Sequence, residues 1–377
     1  MTSTLTPRGP LRAVQVLGAN GAGHVSSLSG GLVARGVDVT VCGPSSAAQS
    51  HGFPRTGVRF TAVEIPERPA PRDEAMAVAA LRAACHGADV VHAHGLHAAM
   101  LASLALAGGA GGPALVVTWH AGLPVRGTRA GLLRLLERRV ARAATVVLGA
   151  WSGIVDEVRG LGARDARLAP VSFPPERARV RPAGPQADKT RAGLGALDGP
   201  LILSVGRLEP HKGHDLLLDA AREWGGLRPR PTVVVAGEGA DRAALQGRVD
   251  AEDLPVRLLG HRDDVPELLA AADLVVLPSR FESYPLIVHE AMRAGVPLVA
   301  TAVGAVPELV GDAAVLVPKD DPEALAQAVS CLLADPALRA RLSAEGRVQA
   351  ATWPTQDDTI AQILSVYDEL THAPARS

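Results

Sequence analysis

Short apolar runs recur along the whole chain, separated by longer stretches whose apolar positions return every three or four residues. In the first half the runs are Arg12–Leu17, Asp38–Cys42, Arg59–Ile65, Asp89–His92, Leu115–Trp119 and Thr145–Leu148, and each reads as a buried strand. Helical periodicity fills the gaps, for example over His24–Ala34, Arg72–Cys85 and Arg129–Ala143. The stretch 174–199 opens rich in Pro and Gly, lacks sustained periodicity and reads as a linker. The alternation then restarts at Leu201–Val205, Thr232–Ala236, Val256–Leu259, Leu274–Leu277, Leu298–Ala300 and Ala314–Val317. Strand–helix alternation predicts a parallel sheet with helices on both faces, and the restart predicts two such α/β domains, over 1–173 and 200–354. Open parallel sheets bind ligands beyond the carboxyl ends of their strands, so a cleft between two facing domains is the expected site.

Composition agrees with that plan. The 377 residues suffice for two domains, and 39 Gly and 29 Pro suit many tight connections. Net charge is −1, but residues 1–172 carry +7 and the remainder −8. A basic half can face an anionic acceptor or a membrane surface, or reflect a general bias to Arg. Cys42, Cys85 and Cys331 have no metal-like spacing, which suits a reduced, cytoplasmic setting. The apolar run before Gly18 is short for a signal peptide, and no run reaches the roughly 18 apolar residues of a membrane span.

Candidate chemistry concentrates in the second half. Glu282 and Glu290 lie eight positions apart across a loop-to-helix junction, with Pro285 where a first helical turn tolerates a missing N–H. Free N–H groups at such a helix start can hold an anion, with one carboxylate at the mouth and another further in. That arrangement suits a sugar–diphosphate–nucleoside; the alternative is an amphipathic helix with surface Glu. Upstream, Arg207 leaves the end of a strand and Lys212 stands near the next helix start, so both can reach one anion. The chain uses Lys only at 189, 212 and 319 among 38 basic residues, which draws attention to Lys212. Asp263 and Asp264 are adjacent, and a helix N-cap before Val265 explains them better than a metal site.

These pieces form a series: Gly-Arg-Leu-x-x-x-Lys-Gly at 206–213, Gly-Glu-Gly at 237–239, Leu-Gly-x-x-x-Asp-Val at 259–265, Ala-Asp-Leu-x-Val-x-Pro-Ser at 272–279, the Glu pair, and Gly-Val-Pro-Leu-Val-Ala at 295–300. In order and spacing they resemble the donor half of the retaining glycosyltransferases of family 4, which have the GT-B fold of two Rossmann-like domains. The first half matches more loosely. Gly18-Ala-Asn-Gly21-Ala-Gly23-His24 resembles the family's glycine-rich loop, though with different glycine spacing. Asp89-Val-Val-His92-Ala-His94-Gly95 resembles a strand-end motif, and Val116-Val-Thr118-Trp-His120 a Thr-x-His segment.

The resemblance implies a function: retaining transfer of a sugar from a nucleotide-diphosphate sugar, UDP- or GDP-linked, to a glycan, lipid-linked or small-molecule acceptor. It implies no cofactor and no metal, because fixed cations and helix N-termini replace the ion. By position, Arg207 and Lys212 meet the diphosphate and Glu282 the sugar hydroxyls. The backbone of Ser283, Tyr284, Pro285 and Leu286 lines the phosphates, with Gly206, Gly21 and Gly23 at the loops, and Glu290 takes the ribose. Arg262, in the loop around His261–Asp263, borders the base. His120 sits near the reacting centre, where His92 is equally readable as a core histidine, and His24 and His94 fall on the acceptor side. The same resemblance has the C-terminal helix, within 355–377, cross back onto the first domain.

On 129–142, Leu132, Leu133, Leu136 and Val140 share one helical face and Arg134, Arg138 and Arg142 another. This is either a core-packed helix with a solvated basic face or a peripheral contact with anionic membrane. No nucleic-acid partner is expected. A nucleotide-sugar epimerase of the same fold, or a non-catalytic sugar-binding protein, are the alternatives. A dehydrogenase is disfavoured because no strand–Gly-x-Gly-x-x-Gly–helix unit with an acidic partner occurs.

Overall fold

The computed structural model describes residues 9–18, 22–65, 71–108, 111–120, 128–169 and 184–372. It divides into two compact units, Met1–Phe173 with Pro354–Ser377, and Pro174–Trp353.

In the first unit, β1 (Arg12–Leu17), α1 (Ala22–Val33), β2 (Asp38–Gly43), α2 (Ser45–Ser50), β3 (Arg59–Ala62), α3 (Pro71–Ala84), β4 (Val90–His94) and α4 (Leu96–Leu106) follow in order. Then come β5 (Ala114–Trp119), α5 (Thr128–Ala143), β6 (Val146–Gly149), α6 (Ser152–Leu161) and β7 (Ala166–Leu168). The sheet is parallel throughout, in the order β3-β2-β1-β4-β5-β6-β7. Helices cover both faces, so β1, β4 and β6 are buried nearly end to end and do not alternate. For the same reason β4 continues through His94, beyond the expected end at His92. β7 leaves no mark in the hydrophobic pattern, because three residues carry no period.

In the second unit, α7 (Pro185–Gly193), β8 (Leu201–Val205), α8 (His214–Trp224), β9 (Thr232–Ala236), α9 (Arg242–Ala251) and β10 (Val256–Gly260) lead into α10 (Val265–Ala271), β11 (Leu274–Leu277) and α11 (Leu286–Ala294). β12 (Leu298–Thr301), α12 (Val306–Val310), β13 (Val315–Val317), α13 (Pro322–Ala334) and α14 (Pro336–Ala351) complete it. Its sheet is again parallel, in the order β10-β9-β8-β11-β12-β13. Trp224 and Ile202 are fully buried in its core, and the Trp224 indole donates to Ala326 O at 3.2 Å.

The stretch read as a linker contains a helix. α7 opens on Pro185 and lacks an apolar stripe, which hid it from periodicity. Tertiary bonds hold it: the Arg191 guanidinium donates to Ala271 O (2.8 Å), Asp273 (2.8 Å) and Gly199 O (2.7 Å). Residues 174–183 of that stretch lie outside the described residues.

The chain ends in α15 (Gln356–His372), which packs on α1 of the first unit. Gly31 permits the approach, since a Cβ there would lie 2.1 Å from Ile360 Cδ1. Residues 373–377 lie outside the described residues. Each sheet has one place where its order reverses, β1/β4 in the first and β8/β11 in the second. Connections leave to opposite sides there, opening a crevice at the carboxyl ends of the strands.

Candidate active site

At the β8/β11 switch point the motif glycines serve close packing. Leu208 N–H donates to Glu238 O (2.9 Å) and Gly237 N–H to Gly260 O (2.8 Å), tying the loops after β8, β9 and β10 together. A Cβ at Gly237 would lie 1.8 Å from Gly206 O, and one at Gly213 2.0 Å from Pro278 O. The loop from Gly206 therefore lies against the end of β11, and a short 3₁₀ turn, Pro210–Lys212, delivers Lys212 to it. Arg280 buttresses the turn. Its N–H donates to His211 O (2.8 Å), while its guanidinium grips both Asp215 oxygens (2.7 and 2.8 Å) and reaches Asp320 (2.6 Å).

The result is a buried ionic centre. Lys212 Nζ donates to both Glu282 oxygens, at 2.8 and 3.0 Å. Ser279 Oγ donates to Glu282 Oε1 at 2.6 Å, and the Thr301 hydroxyl holds the Ser279 carbonyl. The side chains of Glu282 and Lys212 are only 4% and 19% exposed. A carboxylate this buried needs its cation and its donors, because desolvation would otherwise outweigh its attraction for them. An ammonium has three N–H groups, so one stays available beyond this carboxylate, and Oε2 retains acceptor capacity.

Other expected residues lie nearby in sequence but outside this cluster. Arg207 is 70% exposed and pairs with Glu209 at 2.8 Å. Ser283, Tyr284 and Pro285 lead into α11, which starts at Leu286 without a side-chain cap; Glu290 is half-buried on its second turn. The Tyr284 ring lies 4.8 Å from that of His289, and burial raises its phenol pKa. Arg262 donates to Asp264 at 2.7 Å. Asp264 stands at the N-cap of α10, yet its side chain does not cap the helix, contrary to expectation, because Arg262 engages its carboxylate instead. Among the described residues no group of three or more His, Cys, Asp or Glu could hold a metal ion.

In the first unit the ends of β1, β4 and β5 bring together Gln15, His92, His94 and Thr118. His92 is the core histidine of the two readings: it is fully buried, with Nδ1 2.7 Å from the Tyr367 hydroxyl and Nε2 2.7 Å from Thr118 Oγ1. His94 stacks on it at 4.3 Å, and the His24 ring meets His94 edge-on at 6.2 Å. Burial, reinforced by His24 and His120, lowers the His92 pKa to about 3; burial, reinforced by His92, His24 and His120, holds His94 well below its usual value. His120 follows β5 against Gly95, and burial lowers its pKa as well, disfavouring the charged imidazolium. Gly21 lies outside the described residues. Gly23 belongs to the first turn of α1 and not to a loop, and a Cβ there would meet nothing within 4 Å. Packing does not require glycine at that position.

Comparison with known proteins covers both units. The profile of the family described as "Glycosyl transferases group 1" matches residues 186–349, and that of "Glycosyl transferase 4-like domain" matches 21–174. A D-inositol 3-phosphate glycosyltransferase of Acidothermus cellulolyticus is 31% identical over 382 residues, spanning 91% of this chain and 84% of that protein. The chain belongs to the group 1 glycosyltransferases. Against some relatives it spans about half their length: the match to the D-inositol 3-phosphate glycosyltransferase of Jonesia denitrificans, 34% identical, covers 48% of this chain and 46% of that one. Anabaena HepE, solved in complex with UDP and glucose, superposes with a TM-score of 0.79 at 20% identity, covering 95% of this chain and 100% of that one. The fold of this glycosyltransferase is GT-B, with two parallel-sheet Rossmann-like units.

Sequence reasoning missed three contributors to the site. Ser279 closes the Pro-Ser motif three residues before Glu282, a spacing that could have flagged it. Gln15 is a lone polar residue inside an apolar strand, which signals a buried hydrogen bond. Tyr367 had no local signal, since it meets His92 across 275 positions of chain.

Proposed function

We propose that this glycosyltransferase moves a hexosyl unit from a UDP- or GDP-sugar to a glycan, lipid-linked or small-molecule acceptor, with retention and without a divalent metal. The observation that carries the reading is the buried Lys212–Glu282–Ser279 centre at the second sheet's switch point, beside the uncapped start of α11. The bond between the anomeric carbon and the diphosphate oxygen breaks as the acceptor oxygen bonds to that carbon. The acceptor proton passes to the departing diphosphate on the same face. Lys212 supplies its remaining N–H to the growing negative charge, with Arg207 at the rim. Glu282, with Lys212 on both oxygens and Ser279 on Oε1, binds sugar hydroxyls through the remaining capacity of Oε2 and is not a nucleophile. Glu290 takes the ribose, Arg262 borders the base, and neutral His120 hydrogen-bonds sugar or acceptor. His24 and His94 serve the acceptor.

A thermal-shift series with UDP, GDP, ADP and their sugar conjugates, all in EDTA, tests the donor side. One nucleotide at about 100 times its Kd stabilises by about 2.7 kcal/mol, or several degrees in Tm. Absence of any selective shift defeats the reading, and a shift only on adding Mg²⁺ removes metal independence.

Peripheral membrane contact belongs to the same reading. No helix among the described residues is long and apolar enough to cross a membrane. On α5, Val140 is buried and Leu133 and Leu136 are half-buried. Leu132, expected on that packed face, is instead 61% exposed, and Leu135 is 62% exposed beside outward-facing Arg138, Arg139 and Arg142. Exposed leucines among arginines favour adsorption to anionic lipid over a merely solvated face. Co-sedimentation with phosphatidylglycerol vesicles is expected at low salt, weakened by Leu132→Ser/Leu135→Ser and by high salt. Failure to sediment at low salt removes the membrane contact.

A further inference from the structure

A polar chain links the C-terminal helix to the strand ends of the first unit. Tyr367, fully buried on α15, receives a hydrogen bond from Gln15 Nε2 at 2.8 Å and lies 2.7 Å from His92 Nδ1. A phenol that accepts from the amide can donate its own proton to His92 Nδ1. His92 then carries its proton on Nε2, which donates to Thr118 Oγ1 at 2.7 Å. On the other side, Gln15 Oε1 accepts from His94 Nε2 at 2.8 Å. Polarity is thereby set along the chain, and His94 is left with a lone pair on Nδ1.

That Nδ1 is the informative atom. His94 is 2% exposed, and its Nδ1 is buried with no hydrogen-bond partner among the described residues. Reversing the polarity would place an N–H there, a buried donor without an acceptor, and orphaned donors are the rarer and costlier defect. Each of the other linked atoms has at least one hydrogen-bond partner among the described residues. The four linked side chains are satisfied while one buried acceptor stays open at the carboxyl end of the sheet, and a buried polar atom without a partner calls for a donor.

We propose that Tyr367, through Gln15 and His92, is a positioning residue that fixes His94 in its Nε2–H form, so that the bare Nδ1 accepts a hydrogen bond from an acceptor hydroxyl. The inference rests on the glycosyltransferase reading. It assigns the final helix a function beyond packing: the helix sets the hydrogen-bonding character of a strand-end histidine 273 positions earlier in the chain.

Two measurements on the full chain decide it. Long-range ¹H–¹⁵N spectra of histidine-labelled wild type are expected to show His94 protonated on Nε2 and bare on Nδ1 around neutral pH; an Nδ1–H signature overturns the proposal. Kinetics with the donor–acceptor pair that the wild type turns over are expected to show acceptor KM raised roughly tenfold in Tyr367→Phe, with donor KM unchanged. Unchanged acceptor KM, or an equal rise in donor KM, overturns it. Should Tyr367→Phe misfold, Gln15→Leu breaks the same chain and is expected to give the same acceptor-specific rise. A wild type that turns over no pair defeats the glycosyltransferase reading, while the tautomer spectrum still decides this one.

Discussion

Lys212→Ala is expected to lower kcat by roughly 10²–10³-fold, the loss typical of removing one preorganised donor to developing negative charge. The structure adds a second effect. Lys212 is the cation of a carboxylate that is 4% exposed, so its removal leaves Glu282 buried with Ser279 as its one side-chain donor among the described residues. Breaking one side of a buried pair costs about 3 kcal/mol or more in stability. A double variant separates the two consequences. Lys212→Ala/Glu282→Gln removes the uncompensated charge, so its Tm is expected to recover most of the loss while kcat stays low. Lys212→Arg keeps the charge but replaces a compact ammonium by a planar fork in a tight site, so turnover is expected to stay well below wild type. Near-normal kcat in Lys212→Ala, measured on folded protein, would falsify the role given to Lys212.

Gly304→Ala is the substitution expected to damage stability most. Gly304 lies between β12 and α12 at φ +54, where an L side chain is strained. A Cβ there would lie 1.6 Å from Glu282 O, so the loop carrying the key carboxylate must move. Strain and displacement together cost about 3 kcal/mol, which lowers the melting of a unit this size by roughly 6–12 °C. Nucleotide-sugar binding is expected to weaken with it, because Glu282 can no longer meet both Lys212 and Ser279. Gly23→Ala is the control. A Cβ there meets nothing, and alanine favours the helix by about 0.5–1 kcal/mol. A Tm for Gly304→Ala equal to wild type would show that the loop tolerates the shift; loss of nucleotide binding in Gly23→Ala would place Gly23 against the donor.

Much of the candidate site was legible in order and spacing. Gly206 to Gly213, Gly237 to Gly239 and Pro278 to Glu282 lie at strand ends or in the loops that follow, which the topology gathers at one side of one sheet. Local sequence identifies such residues because a loop after a strand has one place to go. What stayed hidden depended on distant partners. Asp264 reads as an N-cap by position, and only the fold shows its carboxylate committed to Arg262. α7 reads as linker because its stability comes from the bonds of Arg191 and not from an apolar stripe.

The sequence by itself determined the alternation of strand and helix, its restart, and which residue types stand at the strand ends, because these follow from local periodicity and the motif series. Tertiary structure decided which of those residues meet. It placed Lys212 on Glu282 and left Arg207 exposed on Glu209, and of the two readings of His92 it selected the core one, as a link in a buried chain that runs through Tyr367. The physical reason is the same in each case. A buried charge or polar atom must find its partner wherever the packed fold supplies one, and distance along the chain does not limit that choice.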